Sequence, residues 1–214
     1  MPHLLELFCG TKSVGRVFER RGWTCCSLDM DKRCEPTICC NILDVTPEAI
    51  LAHGKPDCIW ASPLCTHYSM ARTNAHTPRD LEGSDRLVQA VLNLAAYFGC
   101  PFFMENPWTG LLKTRAVVAG IPMQVLDYCQ YADEDFPGRY RKRTAVWTNT
   151  AWQPARGLCV PSECHFCADG KRHDHSAQRG GNGRTSQSHS LNQLYSIPAG
   201  LPEELLLWLT VASV

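Results

Sequence analysis

Across its first 148 residues the chain alternates short apolar runs with segments of helical periodicity, and this alternation limits the fold more than any other feature. The short runs are His3 to Phe8, Thr24 to Leu28, Thr37 to Cys40, Asp57 to Ala61, Phe102 to Glu105, Leu126 to Tyr131 and Thr144 to Thr148. Between them, Ser13 to Arg21 sets Val14, Val17 and Phe18 on one helical face, and Pro47 to Ala52 reads as a short helix. Leu81 to Phe98 repeats apolar residues at i, i+3, i+4 and i+7, the clearest helix of the chain. Strands alternating with helices predict an α/β fold: a doubly wound, mainly parallel sheet covered on both faces. Ligands of such sheets sit beyond the carboxyl ends of the strands. Function is therefore expected at the strand ends.

The chain has 214 residues, enough for one sizeable core. No apolar run reaches the roughly 18 residues of a membrane span, and no signal-peptide pattern is present. The expectation is a cytoplasmic protein, or a nuclear one in a cell with a nucleus, and not a secreted one. Thirteen cysteines, an odd and scattered set, read as reduced thiols rather than a disulfide framework. Cys25, Cys26, Cys39, Cys40, Cys58 and Cys100 fall in apolar runs and are expected in the core. The balanced charge, 21 Lys/Arg against 21 Asp/Glu, conceals an asymmetry. From Arg139 to Ser190 nine Lys/Arg face three Asp/Glu, a basic stretch suited to nucleic acid.

Composition shifts after Thr148. Residues 150–195 are rich in Gly, Ser, Cys, His and Arg and lack apolar periodicity, so packing alone cannot order them. They contain Cys159-x4-Cys164-His-Phe-Cys167-x5-His173-x-His175. Thiolates and imidazoles so spaced suit a tetrahedral Zn²⁺, with Cys159, Cys164, Cys167 and either His173 or His175 as ligands. Arg156, Lys171, Arg172, Arg179 and Arg184 surround them and are candidates for phosphate contacts. A last apolar helix, Glu203 to Val211, is expected to dock back on the first part. The predicted division is 1–148 catalytic, 149–195 Cys/His-rich recognition, and 196–214 a closing segment.

Four strand ends carry chemistry. The first run leads into Phe8-Cys9-Gly10-Thr11, a turn whose glycine lets a ligand approach the backbone, and the second ends at Asp29, able to hold a ribose. The absence of G-x-G-x-x-G disfavours a dinucleotide. After the fourth run comes Ser62-Pro63-Leu64-Cys65-Thr66-His67, placing an accessible cysteine at the catalytic edge as a candidate nucleophile. The fifth run ends in Glu105-Asn106-Pro107, a carboxylate that needs partners or a task. Arg139-Tyr-Arg-Lys-Arg143 precedes the last run and can grip a carboxylate or phosphate.

Taken in order, these segments resemble the motifs of DNA cytosine-C5 methyltransferases over about 70% of the chain. Leu7-Phe8-Cys9-Gly10 is similar to the family's Phe-x-Gly cofactor turn. Pro63-Leu64-Cys65 resembles its Pro-Pro-Cys nucleophile loop, Glu105-Asn106-Pro107 its Glu-Asn-Val motif, and Arg141-x-Arg143 its Arg-x-Arg motif. Ser196-Ile-Pro-Ala-Gly200 sits where the closing motif returns to the cofactor. The size matches a compact viral or phage-like branch without a conventional target-recognition domain.

The resemblance implies a Rossmann-like fold that binds S-adenosylmethionine through Phe8, Cys9, Gly10, Thr11, Asp29, Met30, Asn41, Ile42 and Pro63. It implies Cys65 attacking cytosine C6, Glu105 holding the N3 and amino edge, and Arg141 and Arg143 orienting the base. DNA is the implied partner, with the base flipped out of the stack. RNA or a free nucleotide is an alternative substrate, and a catalytically inactive nucleic-acid-binding relative a further one. Retention of both Cys65 and Glu105 argues against the last. Lys12, Asn41, Leu64 and Pro107 depart from the family's usual glycine, aspartate, proline and valine.

Overall fold

The computed structural model describes residues 1–72, 75–133, 136, 140–175, 177 and 190–212. The strands are β1 (His3–Leu7), β2 (Thr24–Asp29), β3 (Ile38–Cys39), β4 (Cys58–Ala61), β5 (Phe102–Pro107), β6 (Met123–Asp127) and β7 (Arg143–Thr148). The helices are α1 (Gly15–Arg20), α2 (Pro47–Leu51), α3 (Leu81–Phe98), α4 (Leu191–Tyr195) and α5 (Gly200–Ala212). The strands form one sheet in the order β3-β2-β1-β4-β5-β7-β6. β1 pairs in parallel with β2 and β4, β2 with β3, and β4 with β5, whereas β7 runs antiparallel between β5 and β6. The sheet is doubly wound and mainly parallel, as the alternation of apolar runs predicts.

Both faces of the sheet are buried. On one side Leu5, Leu7, Ile59, Met104, Ala145 and Trp147 meet Val88, Val91 and Phe98 of α3. Asp80 caps α3 by accepting from the Gly83 amide at 2.7 Å, and Gly99 ends it at φ 63°, a left-handed conformation that costs glycine little. On the other side Leu4, Trp60, Phe103 and Val146 meet Val17 and Phe18 of α1 and Leu201, Leu205 and Leu209 of α5. The closing helix therefore docks on the first part of the chain. Trp152, beyond the compositional boundary, is buried in this same core.

Two expectations need correction. The run Leu126 to Tyr131 is not one strand: β6 ends at Asp127, and Tyr128–Gln130 form a 3₁₀ turn. The ladder stops because its last pair is Asp127 opposite Arg143, where β7 begins. Tyr128 and Tyr131 are apolar enough to mimic strand but pack in the core as turn residues. Secondly, of the six cysteines expected inside, Cys26, Cys58 and Cys100 are buried, Cys25 and Cys40 only partly, and Cys39 on the two-residue edge strand β3 is exposed. The short helix α4 lies at the end of the stretch that lacks apolar periodicity; Ser190 and Gln193 close its first turn as a reciprocal capping box. All thirteen cysteines are free thiols.

Candidate active site

The parallel strands deliver their carboxyl ends to one rim, where a cavity of about 650 Å³ opens. It is lined by Phe8, Cys9, Gly10 and Thr11 after β1, Asp29 and Met30 at the end of β2, Asn41 and Ile42 after β3, Pro63 and Cys65 after β4, and Glu105 on β5. Every cofactor residue named from the sequence thus lines one space, together with the proposed nucleophile and carboxylate.

The β1 turn is held open from both sides. Gly10, at φ 44°, donates its amide to Asp29 Oδ2 at 3.0 Å, and a Cβ there would find only the Phe8 carbonyl within 4 Å. Asp29 Oδ1 accepts from the Asp31 amide at 2.9 Å, so this carboxylate fastens two turns at the lip. Phe8 itself sits at φ 57°, a left-handed conformation that costs a non-glycine residue on the order of 1–3 kcal/mol and is found chiefly where a site demands it.

Beneath the turn, on β1, lies Glu6. It is buried and lines the cavity, and its Oε2 has no hydrogen-bond partner. Burial pushes its carboxyl up to about 7, against the pull of the Gly15 and Val14 amides. Gly15 permits the close approach, since a Cβ there would lie 2.5 Å from Oε2. Sequence reading passed over Glu6, although a carboxylate in mid-strand was the available signal.

In the other half, Asn106 is buried and donates from Nδ2 to the Pro63 carbonyl at 2.8 Å, which pins the Cys65 loop to β5. Ser62 Oγ accepts from Trp60 Nε1 at 2.9 Å on the same loop. Glu105 is buried; its Oε1 accepts from Tyr128 Oη at 3.0 Å and Thr144 Oγ1 at 3.5 Å, with Lys142 Nζ at 3.9 Å. Burial raises the Cys65 thiol above its ordinary range and Glu105 raises it further, while Lys142 lowers it.

Lys142 is the cation that sequence reading missed. It lines the cavity, donates to the Leu194 carbonyl at 3.1 Å and lies 4.7 Å from the Tyr128 ring centroid. Arg141 and Arg143 do not line the cavity. Arg143 forms a two-point pair with Asp127, Nε to Oδ1 at 3.0 Å and Nη2 to Oδ2 at 2.9 Å. Successive strand residues point to opposite faces. Thr144 reaches Glu105, so its neighbour Arg143 must face away. Arg141 is exposed, and Arg139 lies outside the described residues.

No family model matches the chain. A protein of Frog virus 3 (isolate Goorha) described as a "Probable DNA (cytosine-5)-methyltransferase" is 30% identical over 220 residues, covering 95% of this chain and 98% of the relative. The chain belongs to the DNA (cytosine-5)-methyltransferase family. Its fold is shared with solved methyltransferases. A prophage-encoded DNA modification methyltransferase of E. coli superposes with a TM-score of 0.51 at 13% identity, over 69% of this chain and 46% of that one. A methyltransferase of Entamoeba histolytica gives 0.50 at 15%, over 76% and 59%. The chain thus spans about half the length of these two structures, a compact form of the methyltransferase architecture.

This compact methyltransferase carries a second cluster beside β6. One ligand atom each from Cys129, Cys159, Cys164 and His173 lie within 4.8 Å of one another. His173 Nε2 stands 3.5 Å from Cys159 Sγ and 3.3 Å from Cys164 Sγ. A tetrahedral zinc ion, with bonds of about 2.3 Å to sulfur and about 2.0 Å to nitrogen, needs S···N separations of about 3.5 Å. The three thiols and imidazole fit such an ion. Of the two histidines offered as alternatives, His173 stands in the group and His175 does not, while Cys167 lies outside it and contacts the other ring nitrogen, Nδ1, at 3.4 Å. Cys129 was not expected. Lys171 and Arg172 nearby are exposed, and Arg179 and Arg184 lie outside the described residues.

Proposed function

We propose that this protein methylates C5 of cytosine in DNA, with Cys65 as nucleophile and S-adenosylmethionine as donor. What carries the reading is the joining, in one cavity, of the open Phe8–Gly10 turn, the Cys65 loop and the Glu105 carboxylate. Phe8 and Asp29 would hold the adenosine part, with Asn41 and Ile42 beside them. When bound, the cofactor supplies an electrophilic methyl group.

The residues of the chain supply the rest. Cytosine C5 is a weak nucleophile, so the Cys65 thiolate adds to C6 and leaves an electron-rich carbon at C5. Glu105 hydrogen-bonds the N3 and amino edge and stabilises the charge that grows there; Tyr128 and Thr144 keep its carboxylate aimed. Lys142 favours the thiolate. After methyl transfer, loss of the C5 proton lets the Cys65–C6 bond break. The base must leave the duplex stack to reach this cavity. The basic segment 149–195, with Lys171 and Arg172 at its surface, contacts the phosphate backbone, and residues 1–148 and 196–214 form the catalytic body. In the same proposal the Cys/His cluster is a structural zinc centre ordering that segment. Free thiols and a zinc–thiolate site suit the reducing cytoplasm or nucleus.

The test is covalent trapping. DNA containing 5-fluorocytosine has no C5 proton to lose, so wild-type protein with labelled S-adenosylmethionine should form a denaturant-stable adduct, and Cys65→Ala none. Trapping on RNA but not on DNA would move the substrate to RNA. No adduct on either would overturn the catalytic reading.

A further inference from the structure

Resting on the zinc reading above, we propose that one ligand of the metal comes from the catalytic body: the ion is held by Cys129, Cys159, Cys164 and His173. Cys167 holds the imidazole and not the ion. The choice follows from which nitrogen of His173 each thiol faces. Cys159 and Cys164 face Nε2, whereas Cys167 faces Nδ1. An imidazole binds a metal through one nitrogen, while the other donates a hydrogen bond that fixes the ring and its tautomer. With Nε2 on the metal, Cys167 Sγ is that acceptor. Three thiolates and one imidazole complete a tetrahedron, and Cys129 supplies the third thiolate within 4.8 Å of the other ligand atoms.

Cys129 lies in the 3₁₀ turn that directly follows β6, in the catalytic sheet. Its neighbour Tyr128 donates to Glu105 at 3.0 Å, and its other near neighbour, Asp127, accepts from the Cys159 amide at 2.9 Å. The ion therefore fastens the Cys/His segment to the same turn that aims the catalytic carboxylate. The backbone around it is already placed, by the Asp127–Cys159 bond and by the Arg143–Asp127 pair. Binding the metal would order the segment and brace Glu105 together.

Replacing zinc by Co²⁺ makes the ligand set visible, because thiolate-to-cobalt charge-transfer absorption grows with the number of sulfur ligands. Wild-type protein should bind about one equivalent. Cys129→Ser should lose roughly a third of that absorption, one thiolate of three. Cys167→Ala should keep it in full while binding about 10–100-fold more weakly. Full absorption in Cys129→Ser together with a loss in Cys167→Ala would overturn the proposal and leave zinc in place, held by the segment alone. No Zn²⁺ or Co²⁺ bound by the wild type would remove the zinc reading as well. Should Cys129→Ser fail to fold, wild-type alkylation decides. A chelator should expose Cys129 to iodoacetamide together with Cys159 and Cys164; an unchanged Cys129 would overturn the assignment.

Discussion

Replacing Glu6 by Gln should stabilise the cofactor-free protein, and by an amount the structure sets. Glu6 is 2% exposed, with Oε2 unpartnered, and burial lifts its carboxyl from the ordinary 4.5 to about 7. At about 1.4 kcal/mol per pH unit, the charged form costs the folded protein roughly 3 kcal/mol relative to the unfolded chain. The folded state holds this proton more tightly than the unfolded one, so the cost is absent below pH 4.5 and complete above about 7. Stability from this group falls as pH rises through that window. Glu6→Gln keeps the shape and removes the charge. It should gain about 2–3 kcal/mol at pH 8, or on the order of 5–10 °C in Tm for a chain of this size, and nothing at pH 4. Urea unfolding of both proteins across this pH range, without cofactor, reads the difference directly. Equal stability at pH 8 would refute the reasoning, since it would mean that the Gly15 and Val14 amides fully compensate the buried charge. The same variant should bind S-adenosylmethionine more weakly, because Glu6 lines the cavity and its charge would favour a cationic ligand there. Stability gained and affinity lost together mark a charge kept for its ligand.

The two basic residues around the start of β7 should separate cleanly. Lys142→Met should slow turnover by about 100-fold or more and slow Cys65 alkylation near pH 8, since the cation that lowers the thiol's pKa is gone; unchanged alkylation would dismiss its role. Arg143→Met should instead destabilise by about 3 kcal/mol, because Asp127 is fully buried and would lose its counter-charge, while the adduct yield per folded molecule stays near wild type. Asn106→Ala should cost about 1–2 kcal/mol by freeing the buried Pro63 carbonyl and should lower kcat more than it raises KM; denaturation and steady-state kinetics check both.

The residues legible in the sequence share one property: they follow strands whose apolar runs are unmistakable. Gly10, Asp29, Cys65 and Glu105 are fixed at the rim as soon as β1, β2, β4 and β5 are recognised, because a parallel sheet sends all its carboxyl ends to one side. The residues that escaped depend on where a ladder ends. Reading Leu126 to Tyr131 as a single strand makes Cys129 an inward core position, indistinguishable from Cys26 or Cys58. Only the break after Asp127 turns it into a loop thiol thirty residues from the sulfur it meets. The same pair, Asp127 opposite Arg143, sets the phase of β7. That phase turns Thr144 toward Glu105 and Arg143 toward Asp127, while the left-handed backbone of Lys142, at φ 20°, carries its amine back to the cavity. A basic cluster such as Arg-Lys-Arg gives charge without phase, so sequence could say that a cation serves the base and the thiol but not which one. One register thus decides both the cation beside Glu105 and the thiol that joins the Cys/His cluster, and it is set by tertiary pairing that no local pattern encodes.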